Sequence, residues 1–278
     1  MTFKVIIVTG ASRGIGHAVA TFLLRPPGTS KVVLLARTAA PLEELQSQYP
    51  DRVQVVTGDL TDYALARRAV EAAVGEWGRL DGMVLNHGTL DPVGRVADSS
   101  TEEWGETFKL NFLSCLEFVS VSSTEPERGA LVEGVVDERE GTQVKLALPH
   151  LRASKGRVVF TSSGAALHAY SAWGAYGASK AALNHLAQTL AREEPDVTTL
   201  AIRPGVVDTE MQRQLREDYF EKLDDVDKEK FGKLKSEGKL LRPEQPGHVM
   251  ARLVLDVGKE LSGKYASWDD EVLAAFRD

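Results

Sequence analysis

The stretch Val5-Ile6-Ile7-Val8-Thr9-Gly10-Ala11-Ser12-Arg13-Gly14-Ile15-Gly16 decides the fold. Four consecutive β-branched apolar residues read as a strand covered on both faces. The glycines that follow permit a tight turn and let the backbone approach a ligand with no Cβ in the way. Apolar residues at helical spacing over Gly14–Leu24 read as a helix whose first amides are free and carry a partial positive charge. Strand, glycine turn and helix, in that order, make an anion cradle suited to a pyrophosphate. The spacing is Gly-x-x-x-Gly-x-Gly rather than Gly-x-Gly-x-x-Gly, so the placement carries the reading more than the glycines do.

Similar apolar runs recur at Lys31–Ala36, Val53–Thr57, Gly82–Asn86, Arg157–Ser162 and Thr198–Arg203, with a weaker one near Lys264–Trp268. The segments between them hold amphipathic helices, most visibly Ala64–Glu76 and Thr101–Val119. This alternation predicts an α/β fold, a doubly wound and mostly parallel sheet of about seven strands with helices on both faces. No repeat or linker divides the chain, so residues 1–278 are expected to form a single domain.

Composition excludes several classes. With 43% hydrophobic and 26% charged residues the chain is not a disordered one. A net charge of −7 argues against a nucleic-acid partner. No apolar run reaches the roughly 20 residues that a membrane-crossing helix needs. The one cysteine, Cys115, excludes an internal disulfide, and the start of the chain lacks the apolar stretch and cleavage site of a secretory signal. A cytoplasmic location is expected, with the nucleus not distinguished. The six histidines show no metal spacing and no cysteine cluster exists, so no metal is expected.

At the end of the second strand run, Leu35-Ala36-Arg37-Thr38 has no carboxylate to accept from a ribose 2′-hydroxyl. Arg37 instead offers a planar fork suited to a 2′-phosphate, with Arg13 in the neighbouring loop. This favours NADP(H) over NAD(H). Further along, Tyr176-Gly177-Ala178-Ser179-Lys180 places a phenol and an amine one helical turn apart. Upstream, Arg157–Thr161 runs into Ser162-Ser163-Gly164 at the carboxyl end of a strand, where ligands gather in such sheets. Carbonyl reduction needs an acid for the forming alkoxide. A neighbouring ammonium and a cationic nicotinamide ring are expected to lower the Tyr176 phenol toward working pH. Ser163 can polarise the carbonyl oxygen.

Together these residues resemble the short-chain dehydrogenase/reductase family over essentially the whole chain. The glycine loop, Asn86-His87-Gly88, Ser163 thirteen residues before Tyr176, Lys180, and Pro204-Gly205-Val206-Val207-Asp208-Thr209 all fall in the family order. The resemblance implies a Rossmann-like sheet and a catalytic set of Asn111, Ser163, Tyr176 and Lys180, with Asn111 holding a water in a proton relay to Lys180. It implies a cofactor site of Gly10, Ser12, Arg13, Gly14, Ile15, Gly16, Arg37, Asp59, Leu60, Asn86, Gly88, Tyr176, Lys180, Pro204, Val207 and Thr209. A narrower likeness runs from Ser162 through Tyr170, Trp173 and Tyr176–His185 to Glu193-Glu194-Pro195 and Met211-Gln212. It is to the fungal benzil reductases, NADPH-dependent relatives of sepiapterin reductase that make a hydroxyketone from an aromatic diketone. Tyr170 and Trp173 would wall an aryl substrate.

Two departures stand out. His87 replaces the family's usual alanine; it is expected to face solvent or cofactor, with no catalytic role. About 25 residues, roughly 119–143, interrupt the helix that carries Asn111. They fit either a surface loop or a translated intron, since Val119-Ser120 can be encoded by GTGAGT and Gln143 by CAG. In the family that helix forms much of a dimer face, so a homodimer is an expectation the insertion puts in question. Gln212–Glu244, charge-dense but amphipathic through Phe220, Leu223, Phe231 and Leu234, is expected to be a mobile substrate lid. The leading reading is an NADPH-dependent carbonyl reductase acting on a small ketone or diketone. The alternatives are an NAD(P)-linked alcohol or steroid dehydrogenase working oxidatively, and a catalytically silent NADPH-binding scaffold.

Overall fold

A computed structural model describes residues 3–120 and 147–278. Seven strands form one sheet, all parallel: β1 (Val5–Thr9), β2 (Lys31–Ala36), β3 (Val53–Thr57), β4 (Gly82–Leu85), β5 (Arg157–Thr161), β6 (Thr198–Arg203) and β7 (Tyr265–Ser267). Their spatial order is β3-β2-β1-β4-β5-β6-β7. The chain winds outward from β1 in one direction, then returns and winds in the other. The turning point lies between β1 and β4, and their C-terminal ends part there to leave a crevice.

The helices are α1 (Gly14–Leu24), α2 (Ala40–Gln48), α3 (Ala64–Trp77), α4 (Thr101–Phe108), α5 (Ser114–Val119), α6 (Ala147–Ser154), α7 (Gly174–Glu193), α8 (Glu210–Glu217), α9 (Asp225–Ser236) and α10 (Glu244–Asp256). Strand residues alternate between two cores. Val5 and Ile7 pack with α3, α5, α6 and α7, whereas Ile6 and Val8 pack with α1, α2 and α10. Both faces are therefore dry, and each fully buried Val, Ile or Leu contributes about 1.5–3 kcal/mol relative to exposure. This is why the central runs, such as Val5–Val8 and Val32–Ala36, are apolar at consecutive positions rather than every second one.

Local signals set the helix ends. Ser100 and Glu103 form a reciprocal cap on α4: the Ser100 Oγ accepts from Glu103 N–H at 3.2 Å and Glu103 Oε2 from Ser100 N–H at 2.9 Å. The single helix expected over Thr101–Val119 is interrupted. Residues Lys109–Leu113 form a π-turn, in which Ser114 N–H bonds the Lys109 carbonyl five residues back. One extra residue in the turn shifts the register, and Asn111 points inward, fully buried. Val119 ends α5 and is buried, and Ser120 caps it; residues 121–143 of the expected insertion lie outside the described residues.

The segment expected as a lid comprises most of α8, a 3-10 turn (Phe220–Lys222) and α9. It lies over the crevice and is tied to both banks. Lys222 Nζ donates to the Val93 carbonyl at 2.9 Å, Tyr219 Oη donates to Asp91, and Ser171 N–H donates to the Asp227 carboxylate at 3.1 Å. Among the described residues no helix is long and apolar enough to cross a membrane.

Candidate active site

The crevice is a cleft of about 850 Å3 along the C-terminal ends of the strands. At one end sits the glycine loop. Gly10 has φ +64°, and a Cβ there would meet the backbone of His87 at 3.2 Å. Arg13, the N-cap of α1, puts no side chain on the first amides of the helix. The cradle is thus built of uncapped N–H groups, as an anionic phosphate requires. Arg13 and Arg37 both line this end and are exposed. A dinucleotide with a 2′-phosphate fits the donor set: uncapped amides for the pyrophosphate and two guanidinium groups beyond them.

Of the residues expected to meet the cofactor, all line this one cleft except Gly16. Gly16 stands behind the loop; a Cβ there would lie 2.3 Å from the Gly10 carbonyl oxygen, so its smallness serves loop-against-helix packing. Asp59 lies on the wall, its Oδ1 accepting from Thr61 N–H and Oγ1–H, both at 2.8 Å; these bonds hold its carboxyl below the usual range. The Asn86 side chain bridges two strand ends, accepting from Thr161 Oγ1–H at 3.1 Å and donating to the Thr9 carbonyl at 3.4 Å. Thr209 packs against Gly14 across the loop.

The reaction end is set by β5 and α7. The buried stripe of α7 carries Tyr176, Ser179, Lys180 and Leu183, which brings the phenol and amine to the same side. Lys180 is almost fully buried and donates to the Thr161 carbonyl at 2.8 Å. Burial pushes its amine down to about 8. Ser163 Oγ accepts from Ala165 N–H at 3.1 Å, leaving its own hydroxyl hydrogen to donate. Tyr176 and Ser163 are neighbours on the cleft wall.

The lowering expected of Tyr176 involves the nicotinamide ring as well as Lys180; in the protein by itself the phenol is raised from its ordinary value. Burial is the dominant cause, and the bond from Ser163 opposes it only in part. The Lys180 ammonium is 5.9 Å from the ring centroid and spends a donor on Thr161. In the protein alone the phenol is held protonated, the form a proton donor must have.

Asn111 is the other residue the structure moves off the wall. Its Oδ1 accepts from Thr89 N–H at 2.8 Å, and its Nδ2 donates to the Thr89 carbonyl at 2.9 Å and to Ser179 Oγ at 3.1 Å. Both amide hydrogens are consumed by the protein, so its side chain has no donor left for a water. His87 lines the cleft with a small part of its surface, and its ring lies buried between Thr9 and Ser114, at 2.7 Å from each hydroxyl.

Beyond the phenol the wall turns apolar. Trp173 and Phe231 stack at 5.3 Å and 18°, Tyr170 lies 5.0 Å from Trp173, and Trp173 meets the Tyr176 ring edge-on at 5.8 Å. Leu90, Val93, Leu215 and Leu223 complete the cluster. Phe231 was visible in the sequence only as part of an amphipathic helix, and nothing local joined it to Trp173. Among the described residues there is no grouping of His, Cys, Asp and Glu able to hold a metal ion.

A family model described as short chain dehydrogenase matches residues 4–132 and 142–219. The chain belongs to the short-chain dehydrogenase family. The match skips residues 133–141, within the stretch 119–143 that the sequence marks as an insertion. Family relatives include the (S)-benzoin-forming benzil reductase of Saccharomyces cerevisiae, 37% identical over 97% of each chain. A crystal structure of a short chain dehydrogenase/reductase from Saccharomyces cerevisiae superimposes with a TM-score of 0.88 at 37% identity, covering 99% of this chain and 100% of that one. An alcohol dehydrogenase from the archaeon Thermococcus sibiricus, complexed with 5-hydroxy-NADP, gives a TM-score of 0.69 at 25% identity over 96% of both chains. Like these short-chain dehydrogenases, the protein is an oxidoreductase with a Rossmann-like, all-parallel sheet.

Proposed function

We propose that the protein is an NADPH-dependent carbonyl reductase that converts an aryl ketone or diketone to the corresponding hydroxy compound. The observation that carries this reading is the sequence of chemistries along one cleft. Two arginines and uncapped amides stand at one end, the protonated Tyr176 phenol beside Ser163 stands further in, and a wall of Tyr170, Trp173 and Phe231 lies beyond. NADPH, when bound, supplies the hydride. Arg37 and Arg13 bind its 2′-phosphate, and the amides opening α1 bind the pyrophosphate.

Ser163, whose hydroxyl hydrogen faces the Tyr176 oxygen in the protein alone, turns it to the substrate oxygen and polarises the carbonyl. Tyr176 gives its proton to that oxygen as charge gathers there. Lys180, charged below about pH 8, stabilises the tyrosinate left behind and keeps two N–H donors for the ribose hydroxyls and the returning proton. The aromatic wall excludes water and orients a flat substrate. Similarity to the yeast benzil reductase supports the diketone class, and the neighbour that holds an NADP derivative supports the cofactor. The test follows NADPH consumption against a panel of aryl diketones, pterin side-chain ketones and simple aldehydes, with Tyr176→Phe as control. Turnover of aryl diketones above the others, lost in the control, is expected; no turnover on any of them would sink the reading.

A further inference from the structure

Three polar side chains with no place in the proposed chemistry are threaded through the base of the cleft: Thr9, His87 and Ser114. Their hydrogen-bond directions can be assigned from valence alone. The Ser114 hydroxyl donates to the Leu110 carbonyl. Its oxygen can therefore take a hydrogen only from His87, so Nε2 carries the imidazole proton, at 2.7 Å. Nδ1 is then bare and accepts from the Thr9 hydroxyl, also at 2.7 Å. The Thr9 oxygen in turn accepts from Asn86 N–H at 2.9 Å. The opposite tautomer would turn the Thr9 hydroxyl toward the Val84 carbonyl at 3.4 Å and take the Ser114 hydrogen away from Leu110. The first arrangement satisfies every group, the Cys115 thiol 3.6 Å from Nε2 included, since its hydrogen goes to the Asn111 carbonyl at 3.6 Å.

What this chain holds is the π-turn. The Ser114 amide has slipped to the Lys109 carbonyl, five residues back, so the Leu110 carbonyl is not met by that amide as it would be in an α-helix. The Ser114 hydroxyl takes that carbonyl instead, and His87 fixes the hydroxyl. Asn111 sits inside the same turn. Its amide clamps Thr89, two residues after His87, and reaches Ser179 on α7, whose own hydroxyl donates to the Tyr176 carbonyl at 2.7 Å. Two sets of bonds thus fasten the turn to the Asn86–Thr89 segment, one through His87 and one through Asn111. An alanine at position 87 could make neither side-chain bond of the first set.

We propose that His87 is a positioning residue: held as the Nε2–H tautomer between Thr9 and Ser114, it locks the π-turn and so places Asn111, Gly88 and Lys180 for the reaction. The imidazole stays neutral for a physical reason, since burial and the nearby Lys180 charge push it down to about 3. It makes no contact with substrate in this role and transfers no proton.

Two measurements test this, and only the kinetic one rests on the reductase reading. In the full-length protein, 15N NMR of the histidine rings is expected to show His87 as Nε2–H, with no titration across about pH 5–8. A ring that titrates in that range, or that carries its proton on Nδ1, overturns the proposal. In kinetics, His87→Leu and Ser114→Ala are expected to lower kcat by about ten- to a hundredfold while the Kd for NADPH stays the same. His87→Gln, whose amide can still reach Ser114, is expected to recover most of the loss. Wild-type kcat in His87→Leu overturns the proposal; if that variant fails to fold, Ser114→Ala and His87→Gln are read in its place. Absence of turnover by the unaltered chain counts against the reductase reading alone, and the NMR result still decides His87.

Discussion

Gly88 leaves room for Lys180 that no larger residue would: a Cβ built on residue 88 would lie 3.3 Å from Nζ and 3.2 Å from Asn111 Oδ1. Neither neighbour can step aside freely, because Nζ is tied to the Thr161 carbonyl and Oδ1 to Thr89 N–H. Gly88→Ala is expected to fold and to lose about tenfold in kcat through displacement of the amine. Steady-state kinetics alongside a thermal melt checks this. Unchanged kcat at unchanged stability would show that the site has slack.

Removing the phenol is expected to stop the chemistry and spare binding. Tyr176→Phe deletes one oxygen from a buried ring whose packing against Trp173 survives. Loss of general-acid catalysis lowers turnover by about 10²–10⁴-fold. Nucleotide fluorescence titration is expected to give an affinity like that of the parent; a large loss of affinity would assign Tyr176 to binding instead.

The choice of nucleotide is expected to follow Arg37. It is exposed on the cleft wall just past β2, where the strand end carries no carboxylate; the acid of that corner, Asp59, is tied to Thr61. Arg37→Asp removes a charge-assisted bond of about 1.5–3 kcal/mol, so KM for NADPH rises by about tenfold or more. KM for NADH is expected to hold or fall. Equal changes for both nucleotides would locate the 2′ contact elsewhere.

Lys180 makes stability depend on pH in a direction that can be worked out. Its folded value is about 8, below the ordinary lysine value, so between the two the unfolded chain holds the proton and the folded one does not. Stability then rises with pH across that window, and the penalty for the buried ammonium is present in full below it. Urea unfolding of the nucleotide-free protein on either side of pH 8 is expected to show the rise, and Lys180→Met to flatten it. The same slope in both proteins would remove Lys180 as its source.

The aromatic wall is expected to sort substrates by size. Phe231→Ala opens the stack on Trp173 and is expected to raise KM for aryl diketones while leaving small aldehydes nearly unaffected. A uniform rise across the panel would mean that the lid as a whole has loosened.

What was legible in the sequence followed from periodicity. The strands were readable because the sheet is covered on both faces and its central runs are apolar at consecutive positions, as in Val5–Val8 and Leu200–Ile202. The glycine loop and the Tyr176–Lys180 pair were readable because each is local. Non-local facts were hidden. The π-turn at Lys109–Leu113 leaves no mark in the sequence, since the buried positions Thr107, Asn111, Ser114, Cys115 and Phe118 still fall at helical spacing. The inward turn of His87 depends on Ser114, and the upward shift of Tyr176 depends on how deeply α7 is covered. Phe231 joins Trp173 only after the chain has crossed β6 and doubled back.

The strand order also divides responsibility along the gene. The corner proposed to grip the nucleotide's adenosine end comes from the first third of the chain, through Gly10–Ile15, Arg37 and Asp59. The far corner draws much of its lining from one stretch, between Gly205 and Arg242, laid across the top of the crevice. A duplicate copy drifting only in that stretch would acquire a new diet while drawing on the same nucleotide.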